Sequence, residues 1–387
     1  MDNFEEKACL CALNRIFGFD PKTALALITH FGSARNIFNL ETKDMEKLPG
    51  PWSKYRGQIC MRAKEAAEEE LTRLSCRGIQ FCGITEDCYP PLLKECEDAP
   101  IGLYVRSATP VSGLWKDPAI SIVGTRDISP YGKEWCRRIV NGMAKTPQKP
   151  AIISGLALGV DIEAHKAAVE SGLPTIAVMA TGPDSTYPCR HRTFADMLAS
   201  APGCALVTDY PPGTAPLAIH FLRRNRIIAG LGNSTILIES KVKGGGMMTC
   251  RLAFSYNREV HALPGRVDDL RSQGCNELIA RKIAEPITSI SSLMENLGMK
   301  LSYSKSAAIA RTDLTMIYGK RMPAEDIGLM NEILQAVRAD RGITVEEVAE
   351  AIGTSYRKTS ELTVILETDG FITIDLLRRC SINPKNM

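Results

Sequence analysis

The chain has 387 residues, of which 44% are hydrophobic and 24% are charged, and its formal net charge is +3 at pH 7. This composition excludes the disordered and fibrous classes, and the small net charge does not by itself indicate a nucleic-acid partner. No run of about eighteen apolar residues occurs, and the acidic start does not resemble a secretory signal. We therefore expect a cytoplasmic protein of two or three domains that does not associate with a membrane.

The thirteen cysteines are scattered from Cys9 to Cys380 without a CxxC pair. Their spacing predicts neither a disulfide framework nor a zinc site, and most of them should be small buried thiols. No metal or other cofactor is expected.

Residues 1–75 are predicted to form a small helical unit. Short helices are indicated from Pro21 to Pro49, broken at Gly32 and at the Pro49-Gly50 turn, and a charged helix follows up to Leu74. The next residues, up to 105, are irregular and proline-rich apart from the strand-like segment GLYV. We interpret them as an extension of the following domain.

Six short apolar runs recur after residue 118, and a helix-length segment follows each of them. The runs are AISIV, AIIS, TIAVMA, CALVT, STILIE and EVHAL. Because they are apolar at every position, they are typical of parallel strands covered on both faces. The predicted fold is α/β, with a Rossmann-like, doubly wound and mostly parallel sheet, and the extended domain spans residues 76–298.

Residues 299–327 are predicted to be a linker, and residues 328–387 a winged-helix-like domain. Three segments there, 329–339, 344–352 and 355–368, have helical apolar spacing, and the strand-like FITI follows. A capping box of Thr344 and Glu347 marks the second helix start. Arg357 and Lys358 could contact phosphate, although a solvated helix cap explains them equally well.

The residues that end the apolar runs suggest a phosphate-binding edge, because ligands of open parallel sheets bind beyond the carboxyl ends of the strands. Glycines at helix starts let backbone N–H groups approach an anion, but each such turn alone also has a purely structural explanation. These turns occur together with three sources of positive charge, which are Arg126, Lys243 and a predicted helix start at residues 224–226, and this coincidence indicates a phosphate site. The residues concerned are Gly124, Arg126, Ser154, Gly155, Arg224, Asn225, Arg226, Lys243, Gly245, Gly246 and Thr249.

Catalytic signals are weak. Asp161 and His165 share a helix face and could be an acid–base pair or half of a metal site, but Asp161 in the first turn also suits the helix dipole. Neither GxxxxGK[ST] nor a GxGxxG after the first strand occurs, so nucleotide hydrolysis by the first motif and a nicotinamide cofactor are not supported.

Seven motifs occur in order between residues 120 and 283. They are IVGTR, the YG of SPYG, ISGLALGVDIEAH, TIAVMATGPDSTYP, the DYPPG turn, RNRIIAGL and HALPGR. Together they resemble the DprA/Smf family of DNA-processing proteins of natural transformation. The resemblance implies a homodimer that coats and protects incoming single-stranded DNA and helps to load the RecA recombinase, without catalysis of its own.

The resemblance also implies DNA contacts by Arg126, Ser154, Gly155, Arg226, Lys243 and Gly245, with Asn225 shaping a turn. Two departures from the family pattern stand out. Leu222 and Arg223 precede the RNRII arginines, which should make the groove more basic. GGGMMT replaces a GSL-type turn, so the hydroxyl contact expected at Gly246 is in doubt, while Thr249 still offers a hydroxyl at the helix start.

Two other functions remain open. The first is a nucleotide phosphoribohydrolase of the lysine-decarboxylase-like Rossmann type, but the acid expected one turn into the helix is missing, because Glu239 precedes the glycines. The second is a structural scaffold, which does not explain converging cations. For a DNA-binding protein, Tyr131, Tyr187 and Tyr210 are candidates for base stacking, although tyrosine beside proline often packs a turn.

Overall fold

The structure is a computed structural model, which describes residues 2–40, 51–299, 314–319, 321–340, 342–376 and 378–383. The chain divides into two compact units, Met1–Tyr303 and Ser304–Met387, and each is described by itself. No helix in these ranges is both long enough and apolar enough to cross a membrane.

The first unit alternates strands and helices over most of its length. Its helices are α1 (Asp2–Phe17), α2 (Pro21–Phe31), α3 (Ala34–Phe38), α4 (Met61–Ser75), α5 (Pro91–Lys94), α6 (Pro130–Ala144), α7 (Val160–Glu170), α8 (Arg192–Ser200), α9 (Ala218–Leu231), α10 (Gly245–Ser255), α11 (Gln273–Ala280) and α12 (Ile290–Asn296). Its strands are β1 (Ile79–Gly83), β2 (Gly102–Arg106), β3 (Ala119–Val123), β4 (Ala151–Ser154), β5 (Thr175–Val178), β6 (Ala205–Thr208), β7 (Ser234–Leu237), β8 (Glu259–Ala262) and β9 (Glu285–Pro286).

These strands form one sheet in the order β1-β2-β6-β5-β4-β3-β7-β8-β9. Seven neighbouring strands of this sheet are parallel, namely β6, β5, β4, β3, β7, β8 and β9. Strands β2 and β1 extend the sheet beyond β6 in antiparallel pairing. The predicted α/β class with a mostly parallel sheet is thus confirmed. Because β3 pairs with both β4 and β7, the strand order reverses there, and such a switch point opens a crevice at the carboxyl ends of the strands.

Apolar runs form this sheet because successive side chains point to opposite faces and both faces are covered. In β3, Ile120 and Ile122 pack with helices α6, α7 and α12. Ala119 and Val123 belong to the core on the other face, which includes α9, α10 and the N-terminal helices. Six of the nine strands correspond to the six predicted runs.

The N-terminal helices share that second core. Leu10, Leu13 and Phe17 of α1 are fully buried within it, and Gly32, at φ 78°, ends α2. The predicted boundary after residue 75 falls between α4 and β1, inside the first unit. The prediction of irregular chain over residues 79–83 was wrong, because these residues form β1, which pairs with β2.

The second unit contains helices and a small antiparallel sheet. Its elements are α13 (Leu314–Tyr318), α14 (Ala324–Ala339), β10 (Ile343–Thr344), α15 (Val345–Ile352), α16 (Tyr356–Thr368), β11 (Ile372–Ile374) and β12 (Arg379–Ile382), with the strand order β10-β12-β11. The capping box is formed, since Thr344 Oγ1 accepts from the Glu347 N–H and Glu347 Oε2 accepts from the Thr344 N–H. The winged-helix assignment stays a prediction.

The predicted linker was too long at its C-terminal end. Residues 300–313 and 320 lie outside the described residues, but α13 and the start of α14 fall within the predicted linker. Pro323 precedes α14, and Glu325 and Asp326 occupy its first turn, where acidic side chains complement the helix dipole. These signals explain why the helix starts before residue 328.

Candidate nucleic-acid interface

The loop after β3 is held tightly at the switch point. The Thr125 N–H donates to the carbonyl of Glu239 at 2.7 Å, and the Thr125 carbonyl accepts from the Val160 N–H at 3.1 Å. A Cβ at Gly124 would lie 2.5 Å from Val160 Cγ2, so only glycine allows this approach. The loop presents the exposed side chain of Arg126 to solvent.

The glycine-rich segment between β7 and α10 meets this loop. A Cβ at Gly246 would lie 3.3 Å from Gly124 Cα, which brings the two predicted glycine turns into direct contact. Gly245 begins α10, and a Cβ added to it would have no atom of the described residues within 4 Å, so its backbone is open to a ligand. Lys243 is exposed on the same segment.

The third predicted turn, after β4, packs onto an arginine. A Cβ at Gly155 would lie 1.5 Å from Arg224 Nη1, so the guanidinium occupies the space that a side chain would need. Arg224 is buried, and its Nη1 donates to the Val178 carbonyl at 3.0 Å, while its Nε has no hydrogen-bond partner in the described part of the chain. Ser154 Oγ donates to the Ile122 carbonyl at 2.6 Å and is fully buried.

The predicted helix start at residues 224–226 was wrong. Helix α9 begins at Ala218, so the three residues lie in its middle, and Asn225 shapes no turn. Its Nδ2 instead donates to the carbonyl of Gly245 at 3.4 Å and ties α9 to α10. The apolar residues before the arginines also belong to the helix, so the arginine cluster does not mark its start.

Arg224 and Arg226 were expected to converge on the groove with the other cations, but both are buried. Arg226 is 6% exposed and forms an ion pair with Asp209 at 2.6 Å. Arg223 donates to the carbonyls of Gly18 at 2.7 Å and Phe19 at 3.0 Å, so it does not make the groove more basic. Successive helix residues point about 100° apart, and the cluster therefore divides between different partners.

Thr249 also differs from its expected role. It lies in the second turn of α10, is 1% exposed, and its hydroxyl donates back to the Gly245 carbonyl at 3.4 Å. A threonine hydroxyl bonded within its own helix is not directed at a ligand.

An aromatic pair that the sequence did not reveal flanks Arg126. The guanidinium lies over the Phe221 ring at 5.2 Å, and the Phe221 ring contacts Tyr187 edge-on at 5.3 Å between centroids. Tyr187 is 43% exposed, whereas Tyr210 is buried. Tyr131 donates its hydroxyl to the Pro264 carbonyl at 2.9 Å. Of the three candidate stacking tyrosines, Tyr187 therefore stands beside the exposed cation.

Asp161 and His165 do not form an acid–base pair. The His165 ring is fully buried and bonds Thr175 Oγ1 at 2.7 Å, and burial lowers its pKa to about 3, helped by Arg224 and His191. Burial raises the pKa of Asp161, against the opposing effect of the Arg224 charge. Both groups are parts of the core beneath the loop after β4.

Glu239 is committed to helix α6. Its carboxylate accepts from the Ser129 N–H at 2.9 Å and from the Ser129 hydroxyl, and Ser129 Oγ in turn accepts from the Gly132 N–H at 3.0 Å. Only 1% of Glu239 is exposed. The carboxylate thus stabilises the N-terminus of α6, where negative charge is favourable, and does not face solvent.

The part of the chain that forms the large sheet also resembles known proteins. The family model of DNA recombination-mediator protein A matches residues 80–298, more than half of the chain. The chain belongs to this DprA/Smf family. It is 38% identical over 196 residues to the DNA processing protein DprA of Streptococcus pneumoniae, covering 51% of this chain and 67% of that one. It is 32% identical over 330 residues to the protein Smf of Escherichia coli, covering 84% of each chain.

Two solved DprA structures extend the comparison. The protein from S. pneumoniae superposes with a TM-score of 0.60 and 28% identity, over 79% of this chain and 99% of that chain. The protein from Helicobacter pylori, whose structure concerns its single-stranded DNA binding mode, gives a TM-score of 0.50 and 28% identity over 56% and 95%. The chain therefore shares the fold of the S. pneumoniae protein over most of its length.

Proposed function

We propose that this chain binds single-stranded DNA at the carboxyl edge of its sheet, at the crevice between β3 and β7. The observation that carries the proposal is the placement of exposed Arg126 and Lys243 on two glycine turns that meet where Gly246 packs against Gly124, beside the open backbone of Gly245. Contacts to phosphate by cations and backbone give affinity without sequence preference. The single-stranded DNA binding of the H. pylori relative supports this choice of ligand.

The proposal includes no catalysis. The alternative nucleotide phosphoribohydrolase would need an accessible carboxylate beside the phosphate, but Glu239 is buried on Ser129, and Asp161 is buried against Arg224. A phosphate site without a free acid or base binds its ligand without turning it over.

Protection of incoming strands, RecA loading and homodimer formation complete the proposal on the basis of family membership. A cytoplasmic location is also part of the proposal, because the spacing of the thirteen cysteines is not that of a disulfide framework.

The test is fluorescence anisotropy with an oligo-dT strand and with a duplex of the same length at several salt concentrations. We expect preference for the single strand, with log affinity falling by about 0.7 per unit of log salt for each phosphate neutralised. The double variant Arg126→Glu, Lys243→Glu should lose this binding at moderate salt. Absence of single-strand binding by the wild type at low salt would refute the proposal.

A matched control reverses two charges at the amino ends of the strands, opposite the proposed site. Lys116 precedes β3 and Lys282 precedes β9, and both are exposed. The variant Lys116→Glu, Lys282→Glu has the same net charge as the test variant. It should bind with nearly wild-type affinity if the site, and not the overall charge, determines binding.

A further inference from the structure

Three potential metal ligands meet at the far edge of the sheet, away from the crevice. The thiol sulfurs of Cys82 and Cys88 and a carboxylate oxygen of Glu86 all lie within 4.8 Å of one another. Cys82 is in β1, the outermost strand, which β2, β6, β5 and β4 separate from β3. Cys82 is buried, and Glu86 and Cys88 are half-buried, so the cluster is accessible from one side.

The local fold holds these residues together without an ion. Glu86 closes a turn on Gly83, because its N–H donates to the Gly83 carbonyl at 3.0 Å and its Oε2 accepts from the Gly83 N–H at 2.7 Å. The carbonyl of Cys88 accepts from Trp115 Nε1 at 2.6 Å. These bonds fold the chain after β1 back over Cys82, so little ordering remains for a ligand to impose.

We propose that Cys82, Glu86 and Cys88 form a Zn²⁺ site with an open fourth position. Zn²⁺ takes thiolate sulfur at about 2.3 Å and carboxylate oxygen at about 2.0–2.2 Å in tetrahedral geometry, which sets ligand atoms roughly 3.3–3.8 Å apart. The observed limit of 4.8 Å requires only small side-chain adjustments. A water molecule would occupy the fourth position, as in zinc sites with three protein ligands.

Binding must release protons. Zn²⁺ binds cysteine as the thiolate, so a protonated thiol must lose its proton before it can become a ligand. Zn²⁺ forms one bond to each sulfur and one to the carboxylate, and each thiol that becomes a ligand passes its proton to solvent. No oxidation or reduction occurs in this step.

Lys7 balances the charge of the occupied site. Its Nζ lies 2.9 Å from Glu86 Oε1 and reaches the cluster from α1. Two thiolates and one carboxylate carry three negative charges, which exceed the charge of Zn²⁺ by one, and the ammonium of Lys7 neutralises the remainder. The ion would thus connect α1, β1 and the turn that follows.

The test is titration of the reduced, metal-free full chain with Co²⁺, a spectroscopic substitute for Zn²⁺. Exposed Cys60, Cys76 and Cys189 are first replaced by serine to remove competing thiols. We expect thiolate-to-cobalt charge-transfer absorption that saturates at one ion per chain and disappears on addition of Zn²⁺. An indicator dye should register proton release as the ion binds.

Two further variants locate the site in that background. Cys88→Ser should abolish the charge-transfer band, and Glu86→Gln should weaken binding at least tenfold, with circular dichroism showing that both remain folded. No band in the folded parent, or a band that survives Cys88→Ser, would overturn the proposal. Formation of only a Cys82–Cys88 disulfide, without metal binding, would also overturn it.

Discussion

Gly155 shows how a glycine, which has no side chain, shapes the candidate interface. The sequence predicts a backbone approach to phosphate at this position, but the space beside its Cα is filled by the guanidinium of Arg224. The pattern indicates that a glycine is needed after β4, whereas the reason for it lies in α9, far along the chain. A buried arginine is an unusual neighbour, and no local pattern predicts it.

We expect Gly155→Ala to destabilise the chain by about 1–3 kcal/mol, because the new methyl group would displace the buried guanidinium of Arg224 from its hydrogen bond to the Val178 carbonyl. Urea unfolding measures the change. Gly245→Ala is the matched control, since no atom of the described chain lies within 4 Å of its added methyl group and alanine favours a helix over glycine. Equal stability of the two variants would contradict the packing seen at Gly155.

His165 should make stability depend on pH. Its pKa falls from 6.5 to about 3 on folding, so the unfolded chain binds the proton more tightly. The contribution of the neutral imidazole is complete above pH 6.5 and is lost as the pH falls towards 3. Between about pH 7 and about pH 5 the loss should be about 2 kcal/mol.

Urea unfolding at these two pH values measures this dependence, and His165→Gln should remove most of it. His30→Gln, at an exposed histidine, is the control and should leave the dependence as in the wild type. If His165→Gln kept the full pH dependence, the buried, neutral state assigned to His165 would be wrong.

Helix α6 illustrates the element scale. The sequence shows Ser129 before Pro130, an ordinary N-cap signal, and Ser129 Oγ does accept from the Gly132 N–H. The carboxylate of Glu239 arrives from the end of β7 and completes the cap. Ser129 follows β3 and Glu239 follows β7, and the two residues meet because these strands are neighbours in the sheet. No local sequence pattern indicates this contact, because 110 residues separate the two in the chain.

Glu239→Gln should lower the free energy of unfolding by about 1–2 kcal/mol, because an amide replaces a buried carboxylate at a helix N-terminus. Glu134→Gln, on the exposed surface of the same helix, should cost less than about 0.5 kcal/mol. Neither the wild type nor the variant should release base from a nucleoside monophosphate. Turnover by the wild type that the variant loses would favour the phosphoribohydrolase instead.

At the scale of the whole molecule, the two units have separate cores. The cores around the large sheet use residues up to Met299, and the core of the second unit starts at Leu314. Within the second unit, Lys358 pairs with Asp326 at 2.8 Å, while Arg357 is exposed. Of the two cations that could contact phosphate there, Arg357 is thus the more accessible.

A fragment of residues 1–303 should unfold cooperatively and bind oligo-dT within about threefold of the full chain's affinity, because it contains the crevice between β3 and β7. Denaturation and anisotropy test both points. The full-length variant Arg357→Glu is the companion measurement. A large loss of affinity in both the fragment and this variant would assign DNA contact to the second unit.

The sequence by itself determined the fold class, six strands of the parallel sheet and the glycine turns, because burial on both faces and tight βα connections leave local signals. Tertiary structure alone decided the direction of each arginine in α9, the pairing of Phe221 with Arg126 and Tyr187, and the use of Glu239 as a helix cap. It also brought Cys82, Glu86 and Cys88 together. The physical reason is that the partners of a side chain depend on the order of the strands and on the direction in which each helix face points. Both bring together residues that are far apart in the chain.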